Sequence, residues 1–404
     1  MENLNASLEF GIDSLTGGIH KDELPSPSSY NNFVTDAIAS DGQNKANPPV
    51  RVGMLIAHDR QIDNYMPANL MAYMAQQFNI ELYFFKSIDV NLQDKTVNAI
   101  LIKDNKKIHM IVPLFKIIYP INRGVLYKSS NKEITSLLTN ECFLVNNFVN
   151  MDKQKCYDLL IADKRFKELL IETHLLENFD HFMELLKRYD NDVVIKSIKG
   201  SMGRGVIRIT FDGKSNTSFI VFPKETLFLK TIGELKDYYE KVFAQEKYVL
   251  QPYIISRTKY DTPFDIRIHA RRGAEGKFKI FIYPRIGRDP KGFLSNISTG
   301  GYTMPIIKFL QQEYGNEYKN VYDRLIQLGE IFPDYFQSFL PRRCFAMGID
   351  IGIQRRGDLY NLKLFEVNTC DPGVTSIPIQ AALTNLEYLQ YLGRCLANGT
   401  LEKL

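Results

Sequence analysis

Two carboxylates and an amide near the C-terminal end carry the densest potential chemistry in the chain. In L-F-E-V-N-T, Glu366 and Asn368 are two residues apart, so on a strand both leave one face while Phe365 and Val367 leave the other. A carboxylate and an amide oxygen side by side, next to a loop carrying Pro372 and Gly373, are hard donors of the kind Mg²⁺ takes. Asp350, in G-I-D-I-G-I, offers a second carboxylate from the preceding apolar run. It shares their face only if the connection has an odd number of residues or a bulge shifts the register. Taken alone, the same residues also fit an ordinary hairpin with solvated acids.

Further polar groups stand upstream. Lys196 ends an apolar run just before K-G-S-M-G-R-G, where Gly200, Gly203 and Gly205, with Ser201 and Met202 between them, let backbone N–H groups approach phosphate oxygens. This is strand, glycine turn, strand; the strand-to-helix fingerprints G-x-x-x-x-G-K-[ST] and G-x-G-x-x-G do not occur. Gln251, Pro252, Tyr253 and Ile254 stand at a strand end, where main-chain groups can meet a purine edge or simply enter a core. Arg267 (in D-I-R) and Arg285 (in P-R-I) alternate with apolar residues, an odd place for guanidinium groups unless an anion or a nearby acid such as Asp261 or Asp265 meets them. Asn296, in S-N-I-S-T-G-G, lies in a loop whose glycines again permit close approach.

Composition narrows the classes. With 404 residues, 45% hydrophobic, 24% charged and a net charge of +4, the chain reads as a globular protein of two or three domains without the basic stripe of a nucleic-acid binder. No apolar run approaches the ~18–20 residues of a membrane span, and the first residues lack a secretory pattern. The five cysteines are scattered without a C-x-x-C pair, which fits a reducing, cytoplasmic setting. The six histidines show no metal spacing; His174 and His181 are expected to decorate a helix.

The elements that must position these groups follow in order. Residues 1–48, rich in Ser, Asn, Asp, Gly and Pro, are expected to form a flexible tail. A small α/β domain is expected over 49–145: strand 50–56, helix 66–78, and strands 80–85, 99–103 and 107–112. Beyond it the pattern predicts helices at 153–161 (capped by Asp152) and 180–189, then strands 192–197 and 206–211 flanking the glycine turn. A helix over 231–243, strand 248–253, an antiparallel pair 265–271 and 277–285, and helices filling 306–338 come next. Strands 345–353 and 359–367, joined by a turn at 355–358, and a helix over 378–396 close the series.

Taken singly each group is ambiguous, but their order is not. Lysine with glycine hairpin, Q-P-Y-I, D-I-R, P-R-I, N-I-S-T-G-G, G-I-D and F-E-V-N-T-x-x-P-G together resemble the ATP-grasp superfamily over residues 146–400, most like the YheC/YheD group and the prokaryotic glutathione synthetase branch. The resemblance implies an α/β and α+β ATP-grasp fold, with two subdomains whose antiparallel sheets enclose ATP and a lid over about 190–247. By motif match, Lys153 and Lys196 would contact phosphates, as would the Gly200–Gly203 turn. The segment of Gln251, Pro252, Tyr253 and Ile254 would hold adenine. Asp350, Glu366 and Asn368 would bind two Mg²⁺ ions, with Mn²⁺ a substitute. Arg267 and Arg285 would face the transferred phosphoryl group, and Asn296 would help orient it. Two departures stand out: Ser197 replaces a proline usual after the strand lysine, and Gly348 stands where some of these ligases carry an arginine.

The activity so implied is an ADP-forming ligase that activates a small carboxylate, glutamate for instance, and joins it to an amine or a carrier-protein thiol. Arg267, His269, Arg271 and Arg272 would suit an acidic substrate or carrier, or form a solvated strand face. No nucleic acid and no membrane enter this reading, which leaves room for a homo-oligomer. The alternative is a spore-coat-associated or structural protein that keeps the fold with little catalysis.

Overall fold

V-R-V-G-M-L-I is apolar almost throughout, the pattern of a strand buried on both faces, and as β1 (Val50–Ile56) it runs through the centre of a seven-stranded sheet. Around it in chain order come α1 (Met66–Met74), β2 (Ile80–Lys86), β3 (Val90–Asn91), β4 (Thr96–Lys103), β5 (Lys106–Pro113), β6 (Ile117–Pro120), α2 (Lys132–Glu141) and β7 (Phe143–Leu144). β1 pairs in parallel with β2 and β6, and β6 with β7; β4 joins antiparallel and carries β5. In this computed structural model the described residues are 48–57, 66–104, 106–121, 132–145, 151, 153–198, 205–222, 225–356, 359–369 and 372–401. The predicted tail (through residue 47), the Asp152 cap and residues 199–204 of the glycine turn lie outside them.

The second sheet follows α3 (Lys153–Ile161), β8 (His174–Leu175) and α4 (Phe179–Arg188), then β9 (Asp192–Ser197), β10 (Val206–Asp212), β11 (Thr217–Val221), β12 (Thr226–Leu229), α5 (Ile232–Val242) and β13 (Tyr248–Pro252). Its order is β12-β11-β10-β9-β13-β8. Alternation in V-V-I and I-R-I-T sends Val193, Ile195, Ile207 and Ile209 to one face, where α4 and α5 add Phe182, Leu186, Leu235 and Tyr239. Asn178 caps α4 and Thr231 caps α5, each accepting from the backbone N–H three residues on. His174 therefore sits on a strand and only His181 on a helix, against the expectation for the pair.

The third sheet is the antiparallel set β14 (Phe264–Arg272), β15 (Phe278–Ile286), β16 (Ala346–Arg356) and β17 (Leu359–Asn368), ordered β15-β14-β16-β17. α6 (Ile306–Tyr314) and α7 (Tyr318–Gln337) cover its back, where Ile266, Ile268 and Ala270 meet Phe309, Leu325 and Phe332. The last helix, α8 (Pro378–Ala397), packs Ala382, Leu386, Leu389 and Leu392 into the core of the first sheet. Gly393 lets Val50 approach so closely that an added Cβ would lie 2.3 Å from it.

The long elements fall where the periodicity places them, within a few residues at their ends. Of the predicted turn at 355–358, Arg355 and Arg356 still pair with Tyr360 and Leu359, and residues 357 and 358 lie outside the described residues. Helix 66–78 is α-helical only to Met74 and finishes as a 3₁₀ turn. Sequence patterning passed over β3, β6, β7, β8, β11, β12 and α2. Among the described residues, no helix is long and apolar enough to cross a membrane.

Candidate nucleotide and metal site

The β16–β17 ribbon settles the register question through a bulge. From Arg356↔Leu359 down to Ile351↔Leu364 the strands pair in step; then Asp350 pairs with Glu366, leaving Phe365 without a partner across the ladder. That one extra residue brings Asp350 and Glu366 onto the same face, and Asn368, opposite Gly348, follows on it. Gly352 makes room for the displacement: a Cβ there would meet the Phe365 ring at 2.2 Å. The bulged carbonyl is used as well, since Lys196 Nζ donates to Phe365 O at 3.2 Å and to Gln251 Oε1 at 2.7 Å. Gln251 in turn donates to Thr173 Oγ1 at 2.7 Å. One lysine on β9 thus touches β13 and β17, linking the second and third sheets.

β14 and β15 add a chain of alternating charge. Asp265 pairs in register with Arg285, and Arg267 with Asp350 on the other side. Arg285 donates to both oxygens of Asp265 at 2.7 Å and reaches Asp350 Oδ2 at 2.9 Å. Arg267 donates to Asp350 Oδ1 through Nε and to Oδ2 through Nη2 at 3.1 Å. Ser295 Oγ donates to Asp265 at 2.6 Å, and Asn368 Nδ2 lies 3.4 Å from Asp350 Oδ2. All four charged groups are buried. Burial alone would push the Asp350 carboxyl up, but the charges and hydrogen bonds of Arg267 and Arg285 outweigh it and hold it below the ordinary range. For Arg285 burial works downward, and Asp265 and Asp350 reverse it, so the guanidinium stays charged.

These groups border one cleft, open to solvent at its mouth. Lys196, Gln251, Pro252, Tyr253, Ile254, Arg285, Asn296, Asp350 and Glu366 all line it. Arg267 stands behind Asp350 and Asn368 beside it, without bordering the cleft. Lys153 opens α3, its side chain outside the described residues, as are Gly200, Ser201, Met202 and Gly203. The Tyr253 N–H already donates to Asp192 O at 3.0 Å, so it is not available to a purine. Asp265, considered at first only as an ion-pair partner for the arginines, is both that partner and part of the wall, as are Ser295, Phe293 and Phe365. The loop before Asn296 gave no signal beyond its polarity.

The distal half of β14 corrects one expectation. His269, Arg271 and Arg272 are neither a solvated face nor exposed to a partner; all are buried. Arg271 donates to Asn385 Oδ1 at 2.7 Å and to Tyr119 Oη at 3.2 Å, lies 3.2 Å from His269 Nε2, and covers the Phe345 ring at 4.7 Å. Arg272 donates to the carbonyls of Cys344 and Gly276 and to Gln337 Oε1. These side chains stitch the third sheet to β6, α8 and the end of α7.

Two cross-strand carboxylates and an amide on one face are donors of the kind a hard divalent cation takes, Asp350 being shared with Arg267 and Arg285. Among the described residues there is no cluster of three or more His, Cys, Asp or Glu that could hold a metal. The set therefore depends on Asn368 turning its oxygen inward, an orientation its amide can take.

The second sheet and the bulged ribbon of the third border this cleft together. The model of the YheC/D-like ATP-grasp family matches residues 141–392, more than half of the chain, and the protein belongs to that family. The chain is 21% identical over 338 residues to the endospore coat-associated protein YheD of Bacillus subtilis, covering 77% of this chain and 70% of that one. To YheC of the same organism it is 25% identical over 211 residues, covering 51% and 55%. Among solved structures, the D-cycloserine synthetase DcsG overlaps 84% of this chain and 99% of its own, with TM-score 0.45 and 11% identity. An N5-carboxyaminoimidazole synthetase from Staphylococcus aureus overlaps 86% and 79%, with TM-score 0.48 and 9% identity. The family assignment rests on the family match, not on these overlaps.

Proposed function

We propose that the protein is an ATP-dependent, ADP-forming ligase that activates a carboxylate as an acyl phosphate and passes the acyl group to an amine or a carrier-protein thiol. The observation that carries this reading is the bulge that sets Asp350 across from Glu366, with Asn368 next on that face, in a cleft that Lys196 spans from the opposite sheet. Membership of the ATP-grasp family supports it.

Charge bookkeeping gives each group a task. Asp265, Arg285, Asp350 and Arg267 sum to zero formal charge, so they do not by themselves offset the repulsion between a triphosphate and a donor carboxylate. Lys196 adds one cation at the cleft. Asp350, Glu366 and Asn368 would hold Mg²⁺, which shields phosphate charge and polarises the phosphoryl oxygens when bound. Arg285, clamped by two acids in a dry wall, is a fixed donor whose orientation needs no rearrangement as charge develops at the phosphoryl group. Arg267, behind Asp350, acts by holding that carboxylate ionised and in place. Asn296, at the lip beside buried Ser295, is set to orient the phosphoryl group or the donor. A lid over about 190–247, with its glycine turn, would exclude water from the acyl phosphate.

The test is to incubate the protein with Mg-ATP and a panel of small carboxylates and amino acids, with and without hydroxylamine. ADP together with hydroxamate is the expected result; AMP with pyrophosphate would replace the acyl-phosphate route with adenylation. The names of both curated relatives favour a second reading, in which the fold serves a coat-associated role with little catalysis. Absence of nucleotide binding would support that one.

A further inference from the structure

The loop that walls the cleft opposite the bulged ribbon, residues 287–302, has little packing of its own: Arg288, Asp289, Pro290 and Lys291 are exposed. Yet Phe293, Leu294, Ser295 and Asn296 face the cleft, two of them polar groups that must stand at set positions to be useful. Ser295 Oγ donates to Asp265 at 2.6 Å and the Gly301 N–H to Asn296 O at 3.1 Å, while the stretch 290–292 is also held from outside the loop. Arg257, in the connection between β13 and β14, sends Nη1 to Gly292 O at 3.0 Å and Nη2 to Pro290 O and to Asp261 O, the latter at 2.5 Å. Its Nε pairs with Asp261 Oδ1 at 2.6 Å.

The ion pair is the lesser part. The Asp261 side chain is 77% exposed against 14% for Arg257, so water screens that contact. The carbonyls are the specific part: one planar fork satisfies three main-chain oxygens from two segments, and no lysine could reproduce the geometry. The turn that aims the fork is itself costly. Asp261 sits at φ +59°, and Thr258 and Thr262 close the turn through Thr258 N to Thr262 O at 2.9 Å. The other edge of Arg257 leads to the lid sheet. Nη1 lies 3.4 Å from Tyr253 Oη, and the Tyr253 ring is covered by Arg208 at 3.8 Å, a residue of β10 that pairs bidentately with Asp192. Arg208, Tyr253 and Arg257 thus run as a strap from the second sheet to the loop.

We infer that Arg257 is a positioning residue: it does not line the cleft, and it pins residues 290–292 so that Phe293–Asn296 form the wall of the nucleotide site. The nucleotide part rests on the ligase reading above; the pinning does not. In Arg257→Gln, which keeps a polar side chain but loses the fork, and in Arg257→Lys, which keeps only the charge, amide hydrogen exchange over residues 287–296 should quicken at least tenfold. Exchange in β14 and β16 should stay as in the parent, which a general loss of fold would not allow. Direct titration with Mg-ADP should show weakening of about tenfold or more in both variants, with KM for ATP rising while kcat moves far less.

Unchanged exchange over 287–296 would overturn the pinning. Faster exchange with unchanged Mg-ADP affinity would overturn the link to the nucleotide wall. If the parent protein bound no nucleotide, the ligase reading would fall while the exchange comparison still decided the pinning.

Discussion

The two halves of β14 treat buried charge in opposite ways. At the cleft end, Asp265 and Arg267 meet Arg285 and Asp350, so each charge faces an opposite one. At the far end, Arg271 and Arg272 meet side-chain amides, a phenol, a histidine, main-chain carbonyls and the rings of Phe345 and Phe278. Both halves are dry, and the first borders the cleft. Buried ion pairs are seldom the cheapest way to stabilise a fold, since apolar replacements often do as well. Their concentration at the cleft is therefore a mark of a site, whereas the neutral ring at the far end is a joint between sheets.

The comparison is sharpened first at Asp350. Asp350→Ala removes the acid shared by two buried guanidinium groups and should cost about 3–5 kcal/mol of stability along with activity; loss of under about 1 kcal/mol in a denaturant melt would break the ion-chain description. Glu366→Gln comes next. In that variant ADP release should fall by about 10²-fold or more, the size seen when one group that stabilises the transition state is lost. A fully active Glu366→Gln would remove that carboxylate from the chemistry.

At the far end, Arg271→Met should cost about 1–3 kcal/mol, the price of leaving the Asn385 and His269 acceptors unmet. Turnover per folded molecule should be unchanged; a selective loss of turnover would put Arg271 in the site after all. The smallest effect is a slope. Burial, then the charges of Arg271 and Arg267, hold His269 neutral far below its ordinary range. An unfolded chain takes that proton near pH 6.5, so below this pH the unfolded state binds more protons and stability falls by up to about 1.4 kcal/mol per pH unit. His269→Phe should flatten the stability curve between pH 6.5 and 5 relative to the parent; identical slopes would refute the neutral histidine.

Much of this arrangement was legible in the chain, for reasons that also mark its limits. The long alternating strands β14, β15 and β17 announced themselves through period-two patterning, and the E-x-N spacing set Glu366 and Asn368 on one face without any tertiary information. Whether Asp350 joined them was undecidable from patterning, because a single bulged residue inverts the parity. Gly352 within a strand was the available hint, since an interior glycine often marks a bulge or a close approach. Strands of two to five residues, such as β7, β8 and β11, present too few positions for periodicity to show. The burial of Arg271 was hidden for another reason. Its partners Asn385 and Tyr119 lie 114 and 152 residues away, so nothing local reveals them. The division at about 145 and the lid limits at 190–247 remain part of the proposal.

Photolabelling with 8-azido-ATP in the presence of Mg²⁺, followed by peptide mapping, tests the central claim most directly. Saturable labelling confined to the cleft lining, on the segment 251–256 or the loop 293–296, and suppressed by excess ADP, is the result expected. Label that maps elsewhere, or that does not saturate, would contradict a nucleotide site between the second and third sheets.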